Sequence, residues 1–209
     1  YSHRIRSTIQ HAKHRQYLHQ ERHSWSNTTW GTVDFRALKS AFLTLDPIKQ
    51  VSCSKSLHGW LNTGYQKQHI SPTAADTHLC PQCKLQLETQ EHVLQCSHSS
   101  AHKHRYELLL PMKRRILTNP GCKVQQLFFD CLRQWLVYPD NITPDLNHIP
   151  MAQRELVALA LQEQQAIGWH LCFRDYLSHH WALAVAAHPS PLVPCKQCNV
   201  KPNDFGSTW

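Results

Sequence analysis

Glycine is nearly missing from this chain: six residues in 209. None stands in a GxGxxG or GxxxxGK[ST] run, so a phosphate-cradling loop is excluded. No stretch of about 18 apolar residues occurs, which excludes a membrane-spanning helix. The opening Tyr1-Ser-His-Arg-Ile-Arg has no apolar core behind its basic residues, so it does not read as a signal peptide. Convincing strand patterns are absent outside one short region, and no internal repeat is visible. Acidic residues are scarce, 14 Asp and Glu against 22 Lys and Arg.

Three residue types are abundant instead: 17 histidines, 9 cysteines and 7 tryptophans. The formal charge of +8 favours a polyanionic partner, nucleic acid before an anionic membrane surface. The odd cysteine count, with two CxxC pairs and scattered single residues, fits metal binding in a reducing compartment better than a disulfide framework. An intracellular location, cytoplasmic or nuclear, is therefore expected. On that ground the sequons at Asn27 and Asn141 carry no weight.

The periodicity predicts a mainly α fold. Residues 1–29 read as a basic N-terminal arm, with a marginal helix on Ile5, Ile9 and Ala12 and a loop over 24–29. Residues 30–118 form a helical region with a metal module inside it. Thr32 or Asp34 can cap a helix through Phe35, Leu38, Phe42 and Leu45. Asp46-Pro47 starts another, which runs past Trp60-Leu61 to Gly64. Residues 65–79 read as a polar loop, and a basic helix begins at Ser99, with Pro111 as a kink. Residues 119–188 are helical again. Val124, Leu127, Phe128, Cys131, Leu132 and Trp135 form one apolar stripe. One long helix or two follow Pro150, with Gly168 marking a bend. The proline-rich 189–209 is expected to be disordered.

The metal candidate spans Cys80 to Cys96. Cys80 and Cys83, with Pro81 between them, suit a tight turn that aims both sulfurs at one point. Leu85 and Leu87 alternate with polar residues, as in a short strand returning from that turn. Thr89 is a good N-cap, and His92 and Cys96 stand four apart on one helical face. The expected unit is ββα with one structural Zn²⁺ on Cys80, Cys83, His92 and Cys96. Three thiolates and one imidazole favour zinc, and a full set of four leaves no catalytic position. Cys53, Cys122, Cys131 and Cys172 sit in apolar contexts as small core residues. No Cys or His follows Cys195-x-x-Cys198, and His188 is its only near partner upstream, so its role is open.

Cys80-Pro-x-Cys83 followed by Glu88-Thr89-x-x-His92-x-x-x-Cys96 resembles the zinc-binding region downstream of the polymerase in non-LTR retroelement reverse transcriptases. Lys55, Gly59-Trp60-Leu61 and Thr63 add to the likeness. So does the stretch from Ile167 to Trp181, which is similar to the tail of related reading frames in algae and protists. The likeness covers about half of the chain. It departs at Lys84, where the family often has glycine, and in a His-to-Cys gap one residue shorter than usual. The resemblance implies a fragment or relic without the polymerase domain, whose lost portion is a possible partner. No adjacent aspartates occur, so the two-metal site of a polymerase is missing.

The function expected is nucleic-acid binding without catalysis. Lys103, Arg105, Lys113, Arg114 and Arg115 are the candidate phosphate contacts, and Trp60 is a candidate for stacking on bases. A solvated basic helix face is the competing reading for each cation. The alternative function is a zinc-stapled structural or protein-interaction domain. An enzyme is not expected: His179-His180 has no carboxylate in local register, and no HExxH occurs.

Overall fold

The computed structural model describes residues 16–58, 60–61, 63–70, 78–118, 123–138 and 141–187. Among them the chain is mainly helical, as expected. A π-helical turn, Tyr17–Arg22, leads into α1 (Asn27–Thr32), α2 (Phe35–Thr44), α3 (Pro47–Leu57) and α4 (Gly64–Ile70). Then come α5 (Gln90–Gln95), α6 (Ser99–Thr118), α7 (Lys123–Val137), α8 (Met151–Ile167) and α9 (His179–Ala186). A 3₁₀ segment, Trp169–Arg174, joins α8 to α9.

The main core forms where the stripe of α7 meets α8 and α9. Val124, Leu127, Phe128, Cys131, Leu132 and Trp135 are all buried. Trp181 of α9 is fully buried and meets Phe128 edge-on, ring centroids 5.0 Å apart. Each such ring removes enough apolar surface from water to contribute about 2–3 kcal/mol. Two glutamines fix how α8 sits on its neighbours. Gln153 Nε2 donates to the Ala184 carbonyl at 2.6 Å. Gln164 donates to Tyr176 O at 3.2 Å and accepts from Ser178 N at 3.1 Å. Gly168 makes the bend between them. Its φ of +106° is one that L side chains rarely adopt, and a Cβ there would stand 2.8 Å from the His170 ring.

A second core holds the N-terminal part of the chain. Trp25 is buried and donates through Nε1 to the Ile167 carbonyl at 3.0 Å. Its ring meets Tyr176 edge-on at 5.3 Å, and Trp30 lies 4.5 Å from Phe35. An isolated bridge pairs Val33 with Ser178. Of the basic arm read over 1–29, the described part from Tyr17 onward packs into the fold, with Leu18 and Trp25 buried. The proposed helix on Ile5, Ile9 and Ala12 lies outside the described residues, as do Cys122 and the tail 189–209 with Cys195 and Cys198.

Further differences concern local structure. Among the described residues there is no strand; the expected ββ portion reduces to one antiparallel bridge, Leu79 with Leu87. The pairing ends there because Thr89, two residues past Leu87, already caps α5. Part of the expected loop over 65–79 is α4, and α3 stops at Leu57, short of Trp60. The expected boundary after residue 118 is not a break in packing. Leu109 belongs to the main core, and Leu94 and Met112 pack against it.

Candidate metal centre

Three local devices assemble the Cys80–Cys96 segment. First, the turn closes through Cys80 N to Gln86 O at 2.7 Å and Lys84 N to Cys80 O at 2.8 Å. Lys84 takes φ +56°, the left-handed region that favours glycine. Second, Glu88 ties the turn to α4. Its amide donates to His78 O at 2.9 Å, its carbonyl accepts from Tyr65 N at 3.1 Å, and its Oε2 accepts from Gly64 N at 2.6 Å. Gly64 is required here, since a Cβ would lie 2.2 Å from the His78 carbonyl oxygen. Third, Thr89 Oγ1 accepts from His92 N at 2.9 Å and starts α5. A six-residue helix has no stability alone, so the contacts at its two ends hold it.

These devices bring the four expected ligands together. Cys80 Sγ lies 3.7 Å from Cys96 Sγ, and Cys83 Sγ lies 3.3 Å from His92 Nε2. All four ligand atoms fall within 4.8 Å of one another. A tetrahedral ion with thiolate bonds of about 2.3 Å needs sulfur–sulfur edges of about 3.8 Å and sulfur–nitrogen edges of about 3.5 Å. The cluster can therefore hold a metal ion. Cys80 and Cys96 are buried, 3% and 1% exposed, while Cys83 and His92 form a half-buried rim.

The electrostatics of the two thiol types differ. The Leu85 amide at the Cys83 sulfur, with further help from Gln86, His92 and Cys80, holds that thiol down to about 6. Burial pushes the Cys96 thiol up, and the neighbouring Cys80 and Cys83 add to this. A bound cation offsets that penalty, because thiolate is the ligating form.

The nucleic-acid candidates are not brought together in the same way. Lys103 and Arg114 are exposed on α6, eleven residues apart, which places them within about 20° of one face. Glu107 lies between them on that face. Lys113 is half-buried, with Nζ 6.0 Å from the Tyr106 ring. The Arg115 side chain lies outside the described set. Trp60 is 64% exposed beside His58, ring centroids 5.7 Å apart. Arg105 is a correction: it is 7% exposed, and its Nη1 donates to Val93 O at 3.5 Å. Its guanidinium therefore turns inward against α5 and away from a phosphate-facing surface; burial lowers its pKa, and the nearby Cys96 opposes that shift. His78, whose carbonyl accepts from Glu88 N, is likewise buried.

Cys131 and Cys172 are core residues, as expected. Burial pushes Cys131 up to about 12 and Cys172 well above the ordinary thiol range, so neither is a reactive thiolate. Sequence reasoning missed the partner of His180. Its Nδ1 lies 2.8 Å from Glu163 Oε2, a carboxylate 17 residues upstream on α8. No local spacing announces this pair, because the bend at Gly168 and the 3₁₀ segment create it. No helix among the described residues is long and apolar enough to cross a membrane. Comparison with family models, curated proteins and solved structures gave no match.

Proposed function

We propose that the chain is a nucleic-acid-binding module organised by one structural Zn²⁺ on Cys80, Cys83, His92 and Cys96. The observation that carries this reading is the convergence of four ligand atoms, within 4.8 Å of one another, immediately before the basic helix α6. Zinc is favoured by the three-thiolate, one-imidazole donor set. The protein fills all four positions, so the ion is a staple and performs no chemistry. Three thiolates around a divalent ion would leave one net negative charge, which the buried Arg105 would help to balance. The exposed face of α6 would then contact phosphates through Lys103, Arg114 and Lys113, with salt-dependent, sequence-tolerant affinity. Trp60 would offer its exposed ring to a base. The motif resemblance points to a parent among non-LTR retroelement reverse transcriptases. On that reading the polymerase portion is a second partner, and this chain has no catalytic role.

The test is titration of single-stranded RNA and DNA at two salt concentrations. The expected result is binding at low salt that weakens steeply as salt rises. Binding that is absent at low salt overturns the proposal. The variant Lys103→Gln/Lys113→Gln/Arg114→Gln should weaken binding and flatten the salt slope by about 2–3.

A zinc-stapled protein-interaction domain is the second reading. Exposed apolar side chains on α2 and α3 favour it, namely Leu43 (65% exposed), Val51 (57%) and Ile48 (81%). Unchanged RNA binding by the folded triple variant would select this reading.

A further inference from the structure

Away from the cysteine cluster, Glu163 of α8 meets His179 and His180 at the start of α9. One ligand atom from each falls within 4.8 Å of the others. We propose that these three residues form a second metal site, for a divalent transition ion of the Zn²⁺ or Cu²⁺ class.

Two hydrogen bonds around the cluster argue for a ligand site and against a chance meeting of polar groups. His179 Nδ1 lies 2.9 Å from the Thr32 carbonyl oxygen. A carbonyl can only accept, so Nδ1 carries the proton and Nε2 keeps its lone pair. Ligating histidines are commonly oriented this way, through a backbone carbonyl on the other ring nitrogen. Glu163 is held similarly: Ser178 Oγ donates to its Oε2 at 2.5 Å. Ser178 is itself locked as the N-cap of α9, accepting from His180 N at 3.1 Å.

His180 supplies the third ligand. Its Nδ1 stands 2.8 Å from Glu163 Oε2 in a hydrogen bond, and the two atoms need part by only about 0.5 Å to span the edge of about 3.3 Å between two ligands of a tetrahedral zinc. The ion would replace the proton now shared between them. The two imidazole rings lie 4.2 Å apart, and each brings a nitrogen within 4.8 Å of a Glu163 carboxylate oxygen. The side chains of His180 and Glu163 are 18% and 16% exposed, which leaves a path for an ion from solvent. Two imidazoles and one carboxylate suit Zn²⁺ or Cu²⁺. Unlike the cysteine cluster, three protein ligands leave at least one position for water.

The experiment uses the full chain, loaded with one zinc at the cysteine cluster and dialysed free of excess. Zn²⁺ and, separately, Cu²⁺ are titrated in and followed by calorimetry and metal analysis. The expected result is a second equivalent per chain. Its affinity should fall roughly 100-fold in Glu163→Gln and in His179→Gln, with the first zinc retained. His179→Gln leaves the Ser178–Glu163 pair intact, so it reads the site even if Glu163→Gln folds poorly. Cys80→Ser should remove the first equivalent and spare the second, which separates this site from the cysteine cluster. No second equivalent in the wild type overturns the proposal. So does a second equivalent that both variants retain, since the ion would then be held elsewhere among the histidines.

Discussion

At the scale of single residues, the ligand set was legible because every clue lay within 17 positions: a CxxC turn, an N-capping threonine, and His92 and Cys96 at helical spacing. Lys84 was legible only as a departure from a glycine-bearing pattern, and the structure gives that departure a physical meaning. Its φ of +56° strains a residue with a Cβ. Lys84→Gly should therefore stabilise the metal-loaded protein by about 0.5–1 kcal/mol, net of glycine's greater chain entropy, as read by urea denaturation. Arg105 was misplaced because a run of basic residues does not announce which one turns inward. His23 was not singled out at all. It is half-buried against Trp25, ring centroids 4.5 Å apart, and its Nε2 has no hydrogen-bond partner. Burial, then the charges of Arg174, Arg22 and His170, lower its pKa from 6.5 to about 3. The unfolded chain thus binds this proton first. The contribution to stability is complete above about 6.5 and is lost as pH falls toward about 3. Denaturation midpoints at pH 7, 5.5 and 4.5, pH values of about these, should decline with acid. They should decline less in His23→Leu, with the difference between the two proteins isolating this residue from ligand protonation.

At the scale of elements, helices with a clear apolar stripe were readable and those defined by long-range contacts were not. The stripe of α7 and the cap Thr89 are local signals and stand where the pattern put them, Asp46 caps the helix that Asp46-Pro47 starts, and of the two candidate caps for α2 it is Asp34, not Thr32, that serves. The short α4 carries no such stripe; Glu88, 24 residues downstream of Gly64, holds its first turn. The ββ pair was over-read, because alternation at Leu85 and Leu87 supports only one bridge. The junction of α8, the 3₁₀ segment and α9 depends on Gln164, whose amide serves Tyr176 O and Ser178 N in a buried setting. Gln164→Leu keeps the volume and leaves both backbone groups unpaired. It should cost about 2–4 kcal/mol in chemical denaturation. A loss below about 0.5 kcal/mol would mean that water replaces the amide.

At the scale of the whole molecule, a mainly α architecture followed from composition and periodicity. Its unity did not. The arm, metal module and C-terminal helices read as separate regions, yet Trp25 bonds to Ile167 and Leu109 joins the core of α7 and α9. Stripping the metal should therefore loosen Leu94 and Met112 on that core as well as the turn itself. On the proposed reading, the net charge of +8 would draw polyanions, and a zinc ion on the cysteine cluster would steady α5, whose Val93 carbonyl accepts from Arg105 of the basic helix α6. The account rests most directly on the metal content of purified protein, with Cys80→Ser as the control. It predicts one tightly held zinc per wild-type chain at the cysteine cluster, absent in Cys80→Ser. Wild-type protein that holds no zinc, or a zinc that survives Cys80→Ser unchanged, would contradict it.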